Sequence, residues 1–162
     1  MTAQARSLAN PAAPGTVRLE PMTLAHLPAV LAIEHVSQGH PWTHGDFLDV
    51  LRTGWHAQCL AAGGELLGYL VAMPGVNEAH LLNLAIAPAY RGQGWAHTLL
   101  DALALWARGQ GADSLWLEVG SNNARALHIY EQNGFVRTGS RKDYYPTRDG
   151  AREDAVLMNR PL

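Results

Sequence analysis

The chain has 162 residues, 48% apolar and 16% charged, with a formal net charge of −2 and one cysteine. A chain of this length buries about two-thirds of its unfolded surface, so one domain can form without a disulfide or a metal. The lone Cys59 excludes an internal disulfide, no run of about 18 apolar residues offers a transmembrane helix, and the near-neutral charge argues against a partner that is nucleic acid or membrane. With no secretory leader to be read, the expected compartment is the cytoplasm. Lys142 is the only lysine and sits in Arg141-Lys142-Asp143, which excludes a Walker-type phosphate loop and disfavours Schiff-base chemistry.

Residues 1–15 are Ala, Pro, Asn, Ser and Gly around Arg6, a composition expected of a flexible tail; residues 16–162 are expected to form a single domain. Thr16 to Glu20 alternates as a strand, and Thr23 is placed to cap a helix carrying Leu24, Leu27, Val30, Leu31 and Ile33. A turn at Gly39-His40-Pro41-Trp42 leads to a second helix from about Thr43 to Arg52, with Phe47, Val50 and Leu51 inward. Strands are expected at 55–62, 66–73 and 79–86, separated by Gly63-Gly64-Glu65 and Pro74-Gly75-Val76-Asn77. Leu99, Leu100, Leu103, Leu105 and Trp106 predict a long helix from about Gly94 to Gly109. A strand at Ser114 to Val119, a helix from Asn123 to Glu131 and a closing strand pair at 135–138 and 153–159 complete the order. Hairpins feeding a strand-helix-strand crossover indicate an α+β fold with a mixed, mostly antiparallel sheet flanked by helices.

The strand ending at Leu84-Ala85-Ile86 runs through Arg91-Gly92-Gln93-Gly94-Trp95-Ala96-His97 into the long helix. Small residues at 92, 94 and 96 let backbone N–H groups approach a ligand, and a helix N-terminus adds unpaired donors, so an anion such as a pyrophosphate fits there. For an isolated Gly-x-Gly, a tight turn alone is the commoner explanation. A dinucleotide fingerprint does not fit, because His97 occupies its third glycine position.

Arg91, Gly94 and Ala96 resemble the Arg/Gln-x-x-Gly-x-Gly/Ala signature of the GNAT acyltransferases, and the element order is also the GNAT order. His40-Pro41-Trp42, Leu82 to Ile86, Leu115 to Val119, Ile129-Tyr130-Glu131 and Tyr144-Tyr145-Pro146-Thr147 further resemble the bacterial RimI group, which acetylates the N-terminal alanine of a small-subunit ribosomal protein. The resemblance implies acetyl-CoA as co-substrate, with no metal. It places the cofactor's pyrophosphate on the amides of residues 91 to 97, its pantetheine arm along Leu84, Ala85 and Ile86, and a further contact at Asn123. From spacing, Asn123 is first of all a helix cap.

Acetyl transfer to an amine needs a base, oxyanion stabilisation and a proton for the leaving thiolate. Trp116, Glu118 and Gly120 share one strand face, which puts the Glu118 carboxylate beside an indole; a solvated strand face is the alternative. Tyr130 lies on a helix stripe with Ala126 and Leu127, where core packing is the ordinary role. The resemblance makes Glu118 the general base, direct or through water, and Tyr130 the acid. It also places Trp42, Tyr144 and Tyr145 around the peptide groove. Arg152-Glu153-Asp154 is a solvated strand end by composition, or a set of acids able to meet an arginine at the second substrate position. Gly120 departs from the family pattern, where a basic residue is expected, and Arg125 brings one into the next helix. The eight histidines form no His-Glu-x-x-His, His97 and His128 fall in helices near the site, and Cys59 fits an inert core position. Two other functions share these features: acetylation of a small amine such as a polyamine or aminoglycoside, and an acyl-CoA-binding sensor without catalysis.

Overall fold

The computed structural model describes residues 13–162, so most of the expected tail lies outside the described residues. The elements follow the expected order: β1 (Arg18–Pro21), α1 (Leu27–Ser37), α2 (His44–Thr53), β2 (His56–Ala62), β3 (Glu65–Pro74), β4 (Glu78–Ile86), α3 (Trp95–Gly109), β5 (Ser114–Gly120), α4 (Ala124–Gln132), β6 (Val136–Pro146) and β7 (Arg152–Pro161). The seven strands form one sheet in the order β1-β2-β3-β4-β5-β7-β6. Every neighbouring pair is antiparallel except β4 and β5.

The sheet separates two cores, and strand alternation decides what goes where. On β3, Tyr69 and Val71 face α1 and α2, joining Val30, Phe47 and Cys59, while Leu70 and Ala72 face α3 with Leu99, Leu103 and Leu115. Thr43 caps α2 as expected: its N–H donates to Asp46 Oδ2 at 2.8 Å, and its Oγ1 accepts from Asp46 N–H at 3.2 Å.

Two expectations shift. The first helix begins at Leu27 rather than after Thr23, with a 3₁₀ turn at Leu24–His26 before it. Pro28 is the cause, since it lacks an N–H and fits only the first turn of an α-helix. Leu24 is accordingly exposed. The closing hairpin is longer than expected, because β6 continues to Pro146. It is an outer strand with little burial, so it carries no apolar alternation. Its register slips between Arg141 and Tyr145, and Asp143 adopts the left-handed region at φ 53°. Arg152 holds that bulge by donating to the carbonyls of Asp143 (2.7 Å) and Tyr144 (2.9 Å), and Asp154 accepts from the Asp143 N–H at 2.8 Å. Arg152 and Asp154 of the Arg152-Glu153-Asp154 run are therefore tied into the bulge at the exposed strand end.

Candidate active site

The one parallel pair among the described residues frames the candidate site. β4 and β5 pair only at Glu78↔Ser114, Ala79↔Leu115 and His80↔Trp116. Beyond that point they separate, leaving Leu81 to Ile86 without a neighbour on that side. The Ala87 N–H bonds the Leu67 carbonyl at 2.7 Å, so by the two-residue alternation the backbone groups of Ala85 and Ala87 face β3. Those of Leu84 and Ile86 face the opening.

Two cavities flank the opening, of about 520 Å³ and about 350 Å³. The larger is lined by Leu84, Ala85 and Ile86, by Arg91, Gly92, Gly94, Trp95, Ala96 and His97, and by Asn123, Arg125, His128 and Tyr130 of the α4 region. Gly92 (φ 75°) and Gly94 (φ 88°) take left-handed conformations, which turn the chain into α3 where side-chain-bearing residues would be strained. Gln93 lies outside the lining; its Oε1 accepts from Trp95 Nε1 at 3.1 Å. Arg91 turns back from the cavity floor, its Nε donating to the Ile86 carbonyl (3.1 Å) and its Nη2 to Ser37 Oγ (2.8 Å). Asn123 caps α4, its Oδ1 accepting from Ala126 N–H at 3.2 Å.

The smaller cavity is lined by Trp42, Glu118, Tyr145 and Glu153, among others. Gln38, Leu84, Asn123, Ala126 and Tyr130 line both, so the two spaces meet there. Tyr130 packs edge-on against Phe135 at 5.8 Å, and burial, with Tyr145 nearby, pushes its hydroxyl pKa up to about 12. Tyr145 is likewise pushed up to about 12 by burial and then by Glu118. Tyr144 lies outside both cavities. It is 45% exposed, its ring edge-on to Tyr145 at 4.9 Å. Trp42 both lines the groove and packs locally on Phe47 at 5.3 Å.

Glu118 is on the half-buried face of β5, beside Trp116 in the strand's alternation, but its charged neighbour is Arg141, Nε to Oε1 at 3.0 Å. Sequence reasoning missed that guanidinium, which arrives from β6, 23 residues away. It also missed Glu34 and Asn83, the two buried polar side chains among the described residues. Their signal was legible: an Asn inside Leu82-Asn83-Leu84 and a Glu on the apolar face of α1. Gly120 has a local cause, since a Cβ there would meet Glu153 Oε1 at 2.6 Å. Glu153 Oε2 accepts from the Asn122 N–H at 2.8 Å. Cys59 is fully buried, and burial raises its thiol pKa to about 12. Among the described residues, no cluster of three or more His, Cys, Asp or Glu could hold a metal ion, and no helix is long and apolar enough to cross a membrane.

Residues 27–135 match the model of the acetyltransferase (GNAT) family. A relative from Escherichia coli strain K12, [ribosomal protein bS18]-alanine N-acetyltransferase, is 35% identical over 136 residues, 84% of this chain and 91% of its own. The crystal structure of the ribosomal-protein-S18-alanine N-acetyltransferase from Escherichia coli superposes with a TM-score of 0.82 at 33% identity, covering 91% of this chain and 94% of that one. Ard1 from Thermoplasma volcanium follows at 0.81 and 26% identity, covering 90% and 97%. With the family model spanning two-thirds of the chain and the strand opening in the same fold, this chain belongs to the GNAT acetyltransferase family.

Proposed function

We propose that this acetyltransferase moves the acetyl group of acetyl-CoA to the α-amine of an N-terminal alanine, and that its substrate, like that in the name of its Escherichia coli relative, is the small-subunit ribosomal protein bS18. A cytoplasmic setting goes with that substrate. The observation that carries the reading is the meeting of two cavities at Leu84 and Tyr130, where β4 and β5 part. One space suits a cofactor and the other a peptide end, with the reacting atoms between them.

In this reading the N–H groups of residues 92 to 97 and the α3 N-terminus hold the diphosphate, and the backbone N–H groups of Leu84 and Ile86, on the side of β4 without a neighbouring strand, pair with the pantetheine arm. Gln93 and Trp95 shape that loop, and Asn123 borders the arm. The peptide enters between Trp42 and Tyr145, with Tyr144 supporting Tyr145 from outside. Glu118 takes a proton from the ammonium, directly or through water; an α-amine with a pKa of about 7.7–8.0 asks little of its base. The free amine attacks the thioester carbon, a C–N bond forms, the C–S bond breaks, and Tyr130 gives its proton to the departing thiolate; the nitrogen sheds its second proton as the amide forms, and that proton restores the phenol through solvent. The phenol is a weak acid here, so the transfer relies on a short hydrogen bond to sulfur.

Mass spectrometry tests this on short peptides differing in their first residue, with free polyamines alongside, after incubation with acetyl-CoA. Acetylation at the α-amine of the Ala-first peptide is expected. Modification of polyamines alone would transfer the assignment to small amines, and binding of acetyl-CoA with no turnover would make the protein a sensor.

A further inference from the structure

Glu34 is a buried acid that the transfer steps above do not use. It projects from α1 with 1% exposure. The Trp42 N–H donates to its Oε1 at 3.1 Å, Asn83 Nδ2 reaches Oε1 at 2.9 Å and Oε2 at 3.0 Å, and the Tyr69 hydroxyl donates to Oε2. Burial, reinforced by Glu34, raises the Tyr69 pKa, so that hydroxyl keeps its proton and remains a donor. Three donor groups converge on the carboxylate, which answers all of them as an acceptor.

That end sets the direction of the links beyond it. Asn83 spends its amide nitrogen on Glu34, so its Oδ1 faces outward and accepts from Gln38 Nε2 at 3.0 Å. The same Gln38 nitrogen reaches the Leu84 carbonyl at 3.3 Å. This carbonyl is on the unpaired side of β4, and both Gln38 and Leu84 line both cavities. The end of the relay therefore sits where the two spaces join.

We propose that Glu34 is a positioning residue for acetyl transfer: through Asn83 it orients the Gln38 amide so that its nitrogen occupies the Leu84 carbonyl, and the junction does not present a bare acceptor. The inference rests on the transferase reading above. An acyl oxygen gains negative charge as the amine attacks, and a bare carbonyl oxygen beside it opposes that change. A glutamine at 34 turns a donor toward Asn83. Asn83 Nδ2 then meets one acceptor and one donor where it met two acceptors, so its orientation is no longer fixed, and an Asn83 that turns over carries Gln38 with it, setting Gln38 Oε1 against the Leu84 oxygen.

The test is steady-state turnover of an Ala-first peptide with saturating acetyl-CoA. Glu34→Gln and Gln38→Glu should each lower kcat roughly tenfold, with KM for acetyl-CoA unchanged within about twofold. Gln38→Glu is isosteric and half-buried at the rim, so it reverses the last link without disturbing the buried cluster. In a Gln38→Ala background, Glu34→Gln should cost nothing further, because the relay has lost its far end. Full kcat in Gln38→Glu overturns the proposal, and so does a Glu34→Gln effect of equal size in both backgrounds. If the wild-type protein transfers no acetyl group to any amine, the transferase reading falls with it; if it does and Gln38→Glu matches it, only the relay falls.

Discussion

Arg141 on β6 reaches across β7 to set its Nε 3.0 Å from Oε1 of Glu118 on β5, with its guanidinium carbon 5.6 Å from the centre of the Tyr144 ring. Two side chains of β6, Arg141 directly and Tyr144 behind it, thus hold the proposed base at the edge of the smaller cavity. Tyr144, outside the cavity, contributes by locating the arginine.

Arg141→Ala should lower kcat/KM for the peptide about tenfold, because an unanchored carboxylate spends less time in reach of the amine. Folding should hardly change, since ion pairs this exposed contribute about 0–1 kcal/mol. Peptide kinetics and a thermal melt on the same preparation separate the two effects.

Tyr130→Phe should reduce kcat by roughly 10² to 10⁴ and leave acetyl-CoA affinity, measured by calorimetry, within about twofold. With the phenol pushed up to about 12 by burial, it keeps its proton through the neutral and mildly alkaline range. The wild-type kcat profile should therefore show no loss from Tyr130 ionisation below about pH 11.

Alkaline conditions should destabilise the fold. Cys59, Tyr130 and Tyr145 are each raised to about 12, chiefly by burial, above the values they regain on unfolding. Above about pH 9 the unfolded chain binds fewer protons than the native one, so stability falls with pH until the folded values are passed near 12. Unfolding free energies from urea titrations at pH 8 and pH 10.5 should differ by on the order of 2 kcal/mol, the higher pH being less stable. Native Cys59 should meanwhile resist thiol reagents at pH 8 and react on denaturation.

Gly120→Arg should retune the groove more than the fold. Its Cβ would displace the Glu153 carboxylate, now 2.6 Å from that position, and its guanidinium would then neutralise the acid. The carboxylate end can swing aside, so the cost in stability should stay within about 1 kcal/mol. KM should rise several-fold for peptides with a cationic second residue and little for Ala-Ala peptides, as competition between the two in one reaction would show.

The elements legible in the sequence are those that bury one face. The periodicities of α3 and β5 carried through because Leu99, Leu103, Leu115 and Leu117 all point into one core. β6 offered no such pattern, since exposed residues gain nothing from alternation, and the bulge that supports Tyr145 depends on Arg152 and Asp154 from the next strand. The glycine turn was legible because its backbone requirement is local. Arg141 and Glu118 are brought together only by β7 lying between their strands, a relation that no local spacing encodes. Glu34 and Asn83 show as polar residues in apolar runs, but their partnership appears only once α1 is laid on the sheet.

Unpaired strand edges invite other chains to add to a sheet, and this molecule treats its edges unequally. At one outer margin β1 is four residues long and ends in Pro21; at the other, β6 is broken by its bulge and carries Arg137, Arg141 and Lys142. Neither is a good template for self-association. The stretch of edge with no neighbouring strand among the described residues, Leu81 to Ile86, is inside, between the end of α1 and the start of α4, where only side chains, Gln38 and Arg91, reach its Leu84 and Ile86 carbonyls. A folded partner cannot reach it, whereas a single slender chain can. The fold thus keeps its capacity for strand addition but restricts it by width, admitting a thread and refusing another sheet.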